Sequence, residues 1–143
     1  MTITRARVFL VAIFVGSLAI QLATIIFTYT RGAIAYDDLT NALLKVLAIY
    51  SVHLALICGG IFAQYQNGRA GAETAPAMAF WLAVILVGIW NMLLLWRCLS
   101  FGMAAINPDS EDNVEKLLTY FQSISSASSF LVAGSLAFFF TKK

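Results

Sequence analysis

The spacing of the charged residues constrains what this chain can fold into more than any other feature of its sequence. Four stretches contain no Asp, Glu, Lys or Arg, and each is about 23–25 residues long. A helix needs about 20 residues to cross the hydrocarbon core of a bilayer. The uncharged stretches separate Arg7 from Arg31, Lys45 from Arg69, Glu73 from Arg97, and Lys116 from Lys142. Each stretch is therefore long enough to span a membrane as a helix.

The composition supports the same interpretation. Hydrophobic residues make up 61% of the 143 residues, against about 45–50% in soluble globular chains. Charged residues make up 11%, against about 25% in such chains. A soluble domain of this length could not bury so much apolar surface. The apolar runs are also continuous rather than alternating, which argues against a membrane β-barrel.

We therefore predict an all-α integral membrane protein, a four-helix transmembrane bundle with short loops. Residues 1–143 are expected to form a single transmembrane domain. The predicted spans cover residues about 8–30, 42–63, 77–96 and 117–141. The first span has a second interpretation, because Arg5 and Arg7 followed by an apolar run also describe a signal peptide. That run is longer than the about 7–15 apolar residues of a signal peptide, so we interpret it as a span.

The basic residues at the two ends of the chain predict its orientation. An even number of spans places both termini on one side, and basic residues that flank a span favour the cytoplasm. Arg5 and Arg7 precede the first span, while Lys142 and Lys143 follow the last. Basic residues number five on this side and four on the other, so the terminal pairs decide. We predict cytoplasmic termini in a bacterial inner membrane.

Polar residues in the loops predict where two of the helices begin. Asp37 or Asp38 is placed to cap the second helix, because a side-chain oxygen before a helix accepts hydrogen bonds from its first N–H groups. Asn107 or Ser110 is placed to cap the fourth helix in the same way. The fourth helix is therefore expected to begin outside the membrane.

The first span carries a polar stripe at heptad-like spacing. An amide in the bilayer core needs hydrogen-bond partners. For Gln21 we expect them from Ser125 or Ser126 of the fourth span, or from Gln21 of a second copy, because polar residues at a seam often fix an oligomer's register. We interpret the stripe as a packing seam, with the lining of a pore as the alternative. Its members are Ser17, Gln21, Thr24 and Thr28.

The fourth span carries a row of small residues at intervals of four, which lie nearly above one another on a helix. Small residues let helix backbones approach closely in lipid. A serine hydroxyl can also donate to the carbonyl four residues earlier, so it need not lack a partner. We interpret the row as a helix-packing face, with a polar conduit as the alternative. Its members are Ser125, Ser129, Ala133 and Ala137.

Two further polar side chains lie deep in the second and third spans. His53 is the only histidine, and Tyr50 lies one turn earlier on the same side. Ionisable residues at that depth are functional candidates, but we interpret His53 as structural because a neutral imidazole needs few partners. Asn91 is expected to form an interhelical hydrogen bond. A lone histidine predicts no metal site, and no cofactor is expected. Three tryptophans are interpreted as partly interfacial anchors, namely Trp81, Trp90 and Trp96.

These residues do not form a recognisable set of catalytic groups. The net charge of +2 gives no reason to expect a nucleic-acid partner. The leading hypothesis is a non-enzymatic membrane subunit, embedded in lipid, that forms homo-oligomers and anchors a partner protein or signals to it. It would act as a scaffold or sensor, for example in a bacterial defence or transport system. One alternative is a channel lined by the stripe of the first span. The other is a small membrane enzyme that uses His53, Arg97 or Asn91 on a lipid-soluble substrate.

Overall fold

The computed structural model describes residues 3–66, 77–105 and 113–140. Of these residues, 94% are helical and none is in a strand. Each helix is long and apolar enough to cross a membrane. The four helices are α1 (Ile3–Thr30), α2 (Tyr36–Gln66), α3 (Ala77–Ala104) and α4 (Val114–Phe140). The predicted all-α membrane fold with four spanning helices is confirmed.

The helices extend beyond the predicted spans at one or both ends. α2 already begins at Tyr36, and α3 continues to Ala104. Lys45 and Arg97, which bound two of the uncharged stretches, therefore lie inside helices. The backbone hydrogen bonds of a helix do not require apolar surroundings. An uncharged stretch consequently marks the part of a helix suited to hydrocarbon rather than the whole helix.

The start of α2 differs from the predicted cap. The chain turns at Gly32, which has a φ of 73°, a value that glycine adopts without steric cost. α2 begins soon afterwards, so Asp37 and Asp38 lie within its first turn instead of before it. Their carboxylates are still favourably placed, because the N-terminal end of the helix dipole is positive.

The start of α4 is capped by Asn113. The Lys116 backbone N–H donates to the Asn113 side-chain oxygen at 2.9 Å, which is the geometry expected of an N-cap residue. The predicted caps Asn107 and Ser110 lie outside the described residues. A cap has to precede the first helical turn directly, and Val114 is the first residue of α4.

The helices form a ring in the order α1, α2, α4, α3. α1 packs against α2 and α3, and α4 packs against the same two helices. α1 also reaches α4 across one diagonal, where Arg7 Nε donates to the carbonyl oxygen of Phe139. The Arg7 guanidinium lies 5.8 Å from the centroid of the Phe140 ring. Within the described residues, α2 and α3 face each other across the other diagonal and meet through their side chains.

Two glycines mark close approaches between helices. A Cβ atom on Gly60 of α2 would fall less than 3.0 Å from backbone atoms of Phe140 in α4. A Cβ atom on Gly102 of α3 would lie 2.8 Å from Cγ2 of Thr24 in α1. Residues without a bulky side chain allow this close packing in lipid. Gly60 therefore permits close contact between α2 and α4, and Gly102 permits close contact between α1 and α3.

The outward surfaces of α3 and α4 differ in the size of their side chains. Over its middle, α4 exposes mostly small or hydroxyl-bearing residues, together with Gln122, Phe130 and Leu131. The part of this surface that we call the outer face of α4 consists of Thr119, Ser123, Ser126, Ala127, Phe130 and Gly134. The exposed side chains of α3 are instead large and apolar, including Met78, Trp81, Leu82, Ile85, Ile89, Met92, Leu93 and Trp96.

Candidate functional site

A hydrogen-bond network joins α1, α2 and α3 in the middle of the bundle. We call it the Tyr50 network, and its members are Ser17, Gln21, Tyr50 and Asn91. The Tyr50 hydroxyl oxygen lies 2.7 Å from Gln21 Nε2, 2.9 Å from Asn91 Oδ1 and 3.1 Å from Ser17 Oγ. Gln21 Nε2 also donates to Ser17 Oγ at 3.2 Å. The interhelical hydrogen bond expected of Asn91 is therefore present, and its partner is Tyr50.

The Asn91 amide sets the direction of these hydrogen bonds. Its Nδ2 donates to the Val87 carbonyl one turn earlier, at 2.8 Å, so Oδ1 faces Tyr50. An amide oxygen can only accept a hydrogen bond, and the Tyr50 hydroxyl must donate to it. The Tyr50 oxygen then accepts from Gln21 Nε2, which fixes the orientation of the Gln21 amide. The donor and the acceptor are therefore assigned in the hydrogen bonds that Tyr50 forms with Asn91 and Gln21.

Four aromatic rings pack together beside this network. The Phe14 ring centroid lies 5.9 Å from that of Tyr50, 5.4 Å from that of His53 and 5.7 Å from that of Trp90. Trp90 lies 5.2 Å from Tyr50 and 4.9 Å from His53. These separations fall in the range in which aromatic pairs attract each other. The four rings and the Tyr50 network together form the centre of the bundle.

His53 connects α2 to α4. Its Nε2 lies 3.2 Å from Ser129 Oγ and 3.4 Å from the Ser129 carbonyl, and its Nδ1 lies 3.4 Å from the Ile49 carbonyl. A neutral imidazole in this position can donate from Nδ1 to the Ile49 carbonyl and accept at Nε2 from the Ser129 hydroxyl. The side chain itself is fully buried. This arrangement favours the structural interpretation of His53.

Two buried polar atoms near Tyr50 have no hydrogen-bond partner among the described residues. They are the amide oxygen Oε1 of Gln21 and the indole nitrogen Nε1 of Trp90. The Gln21 side chain is 0% exposed and that of Trp90 is 2% exposed. An unsatisfied buried polar group costs roughly 1–3 kcal/mol. The surrounding hydrocarbon offers no partner to compensate this cost.

The polar stripe of α1 faces the interior of the bundle. Two of its threonines are satisfied within their own helix, since Thr24 donates to the Ile20 carbonyl and Thr28 to the Thr24 carbonyl, both at 2.8 Å. Whether the stripe lines a pore in an assembly stays a prediction. Its buried members are Ser17, Gln21 and Thr28, and Thr24 is half-buried.

The predicted partners of Gln21 on α4 are wrong. Neither Ser125 nor Ser126 bonds to its amide, because α1 and α4 lie on a diagonal of the ring and Tyr50 reaches the amide from the neighbouring α2. Ser126 donates to the Ser123 carbonyl of its own helix at 3.0 Å. Gln21 is also enclosed within one chain, so the amide of a second copy does not reach it in this arrangement.

The small-residue row of α4 runs along the boundary between the side facing α2 and the outer face of α4. Its members Ser125, Ser129, Ala133 and Ala137 are all half-buried. Ser129 contacts His53, as described above, and the other three follow the same edge of the helix. The role of the row in helix packing stays a prediction.

Two central side chains are not among the residues that the sequence predicts for the site. Trp90 is buried and not interfacial, whereas Trp81 and Trp96 are 61% and 66% exposed. Tyr50 forms the hub of the network. The signal that would have found both is helical spacing, since each shares a face with buried apolar residues three or four positions away. For Trp90 these are Val87 and Leu94, and for Tyr50 the buried neighbour is Val46.

The described residues contain no group of three His, Cys, Asp or Glu side chains that could hold a metal ion. No protein-family model, curated protein or solved structure matches the chain. The fold and the core therefore define the class of protein directly. The chain is a polytopic integral membrane protein, in which four apolar helices surround a hydrogen-bonded and aromatic centre.

Proposed function

We propose that the chain is a non-enzymatic membrane subunit that assembles with further copies of itself and anchors a partner protein or signals to it. The observation that carries this proposal is the outer face of α4. Lipid chains pack readily against large apolar side chains such as those of α3, whereas small residues favour close contact between helices. The outer face of α4 is therefore suited to another helix, and a second copy of α4 is the occupant we infer.

The hydrogen-bond partners of Tyr50, Asn91 and His53 support a non-enzymatic role. The Tyr50 hydroxyl and the Asn91 amide are engaged with each other, and His53 is engaged with α4. A catalytic side chain has to reach a substrate with a free donor, acceptor or nucleophile. Tyr50, Asn91 and His53 instead hold the four helices together, which leaves the outward surfaces for interaction.

The proposal includes an orientation. Both termini lie in the cytoplasm of a bacterial cell, with the bundle in the inner membrane, because basic residues flank the first span on that side. Arg5 is exposed at the beginning of α1. A cytoplasmic partner would then meet the end of the bundle that contains the start of α1 and the end of α4.

A matched pair of substitutions tests the assembly. Ala127 on the outer face of α4 and Ala48 on α2 are both exposed alanines within a span, and the exposed neighbours of Ala48 include the large residues Leu44, Leu47 and Val52. We expect Ala127→Leu to reduce the oligomer that native mass spectrometry detects from lipid nanodiscs or mild detergent, because the added side chain separates the two α4 helices. Ala48→Leu should leave the oligomer unchanged. A parent chain that is monomeric, or an Ala127→Leu variant that assembles like the parent, contradicts the proposal.

A further inference from the structure

The two unpartnered atoms in the core have complementary chemistry. Gln21 Oε1 can only accept a hydrogen bond and Trp90 Nε1–H can only donate one. They belong to α1 and α3, which are neighbours in the ring. Both residues contact Tyr50, Gln21 through a hydrogen bond of 2.7 Å and Trp90 through ring centroids 5.2 Å apart. The two residues that carry the acceptor and the donor are thus both buried and both in contact with Tyr50.

A rotation of the Gln21 amide would still leave one of its two polar atoms without a partner. Exchanging the amide oxygen and nitrogen would place Oε1 against the Tyr50 oxygen, whose proton is already donated to Asn91. Two acceptors would then face each other, and the Gln21 nitrogen would become the unpartnered atom. The bond from Asn91 Nδ2 to the Val87 carbonyl prevents the network from reversing its direction.

The Trp90 indole is equally constrained. The rings of Phe14, Tyr50 and His53 all lie within 5.7 Å of it, centroid to centroid. Packed aromatic side chains occupy defined rotamers, so turning the indole towards another acceptor would displace these three rings. Its N–H group can therefore be satisfied only by an acceptor that reaches it in its present orientation.

We propose that the centre of the bundle binds internal water, which donates to Gln21 Oε1 and accepts from Trp90 Nε1–H. Water can both donate and accept a hydrogen bond, and it is small. Buried polar groups that lack a protein partner are characteristically satisfied by water. The gain is greatest in a membrane, where no bulk solvent reaches the core. A larger ligand with the same donor and acceptor would have to separate the packed rings. This water site does not depend on the proposed assembly.

An experimental structure at a resolution that reveals ordered solvent tests the site in the unmodified protein. We expect solvent density at a hydrogen-bonding separation of about 2.7–3.2 Å from both Gln21 Oε1 and Trp90 Nε1. Density for a larger molecule, solvent beside only one of the two atoms, or a protein group bonded to either atom overturns the proposal.

Proton NMR of the protein in deuterated detergent supplies an independent measurement. Trp90→Phe identifies the indole N–H signal of Trp90 by its disappearance, and Trp81→Phe identifies an exposed indole for comparison. We expect the buried Trp90 N–H proton to show magnetisation transfer from water, although its side chain is only 2% exposed. Transfer to this proton from carbon-bound protons alone would show that the core is dry and would overturn the proposal.

Discussion

At the scale of single residues, Tyr50 forms hydrogen bonds to three side chains on two other helices. Tyr50→Phe removes the hydroxyl and leaves Asn91 Oδ1 without its interhelical donor. Because an orphaned buried polar group costs roughly 1–3 kcal/mol, we expect the free energy of unfolding to fall by about that amount. Reversible unfolding in mixed micelles, followed by circular dichroism, measures the change.

Tyr36→Phe is the matched control for this substitution. Tyr36 is 67% exposed at the start of α2, and losing its hydroxyl should change the free energy of unfolding by less than about 0.5 kcal/mol. Equal effects of the two substitutions would show that the Tyr50 network does not stabilise the bundle.

Some contacts of single residues follow from the sequence, and others do not. The stripe of α1 and the interhelical role of Asn91 follow from helical spacing and from the cost of a polar group in lipid. The partner of Gln21 depends on which helices are neighbours in the ring, and spacing within one helix does not contain that information. The unpartnered atoms of Gln21 and Trp90 arise from side-chain directions in the packed core, which a sequence pattern does not specify either.

At the scale of helices, Gly60 and Gly59 provide a direct comparison on α2. A Cβ atom on Gly60 would collide with the backbone of Phe140, whereas one on Gly59 meets nothing within 4 Å. We expect Gly60→Ala to lower the free energy of unfolding by roughly 1–3 kcal/mol, because α2 and α4 must separate to admit the methyl group. The same unfolding measurement in mixed micelles checks this.

Gly59→Ala should be neutral or stabilising by up to about 1 kcal/mol, because alanine favours a helix over glycine and has room here. If Gly60→Ala is tolerated as well as Gly59→Ala, α2 and α4 do not approach each other as closely as described.

The existence and approximate positions of the four helices could be predicted from the charge spacing alone. Their ends could not, because α2 and α3 continue past Lys45 and Arg97 respectively. The contact between Gly60 and Phe140 joins residues far apart in the sequence. Several other glycines have open space around them, so the presence of a glycine does not by itself identify a close approach.

At the scale of the whole molecule, the orientation can be tested by thiol labelling. In a background with Cys58→Ser and Cys98→Ser, single cysteines are introduced by Thr4→Cys or Ala33→Cys, both at exposed positions. A membrane-impermeant thiol reagent added to intact cells should label position 33 and not position 4, because basic residues favour a cytoplasmic N-terminus. Permeabilised cells, in which both should react, provide the control. Labelling of position 4 in intact cells contradicts the orientation.

The proposed assembly brings the outer face of α4 against a second copy of itself inside the membrane. The most direct test is disulfide cross-linking in native membranes, with the same cysteine-free background and a membrane-permeant oxidant. We predict that Ala127→Cys gives a covalent dimer, because the two α4 helices bring these positions together at their contact. Ala48→Cys, which is exposed on α2 among large apolar side chains, should remain monomeric. Cross-linking at position 48 equal to that at position 127, or none at 127, would show that the α4 helices of two copies do not meet at this face.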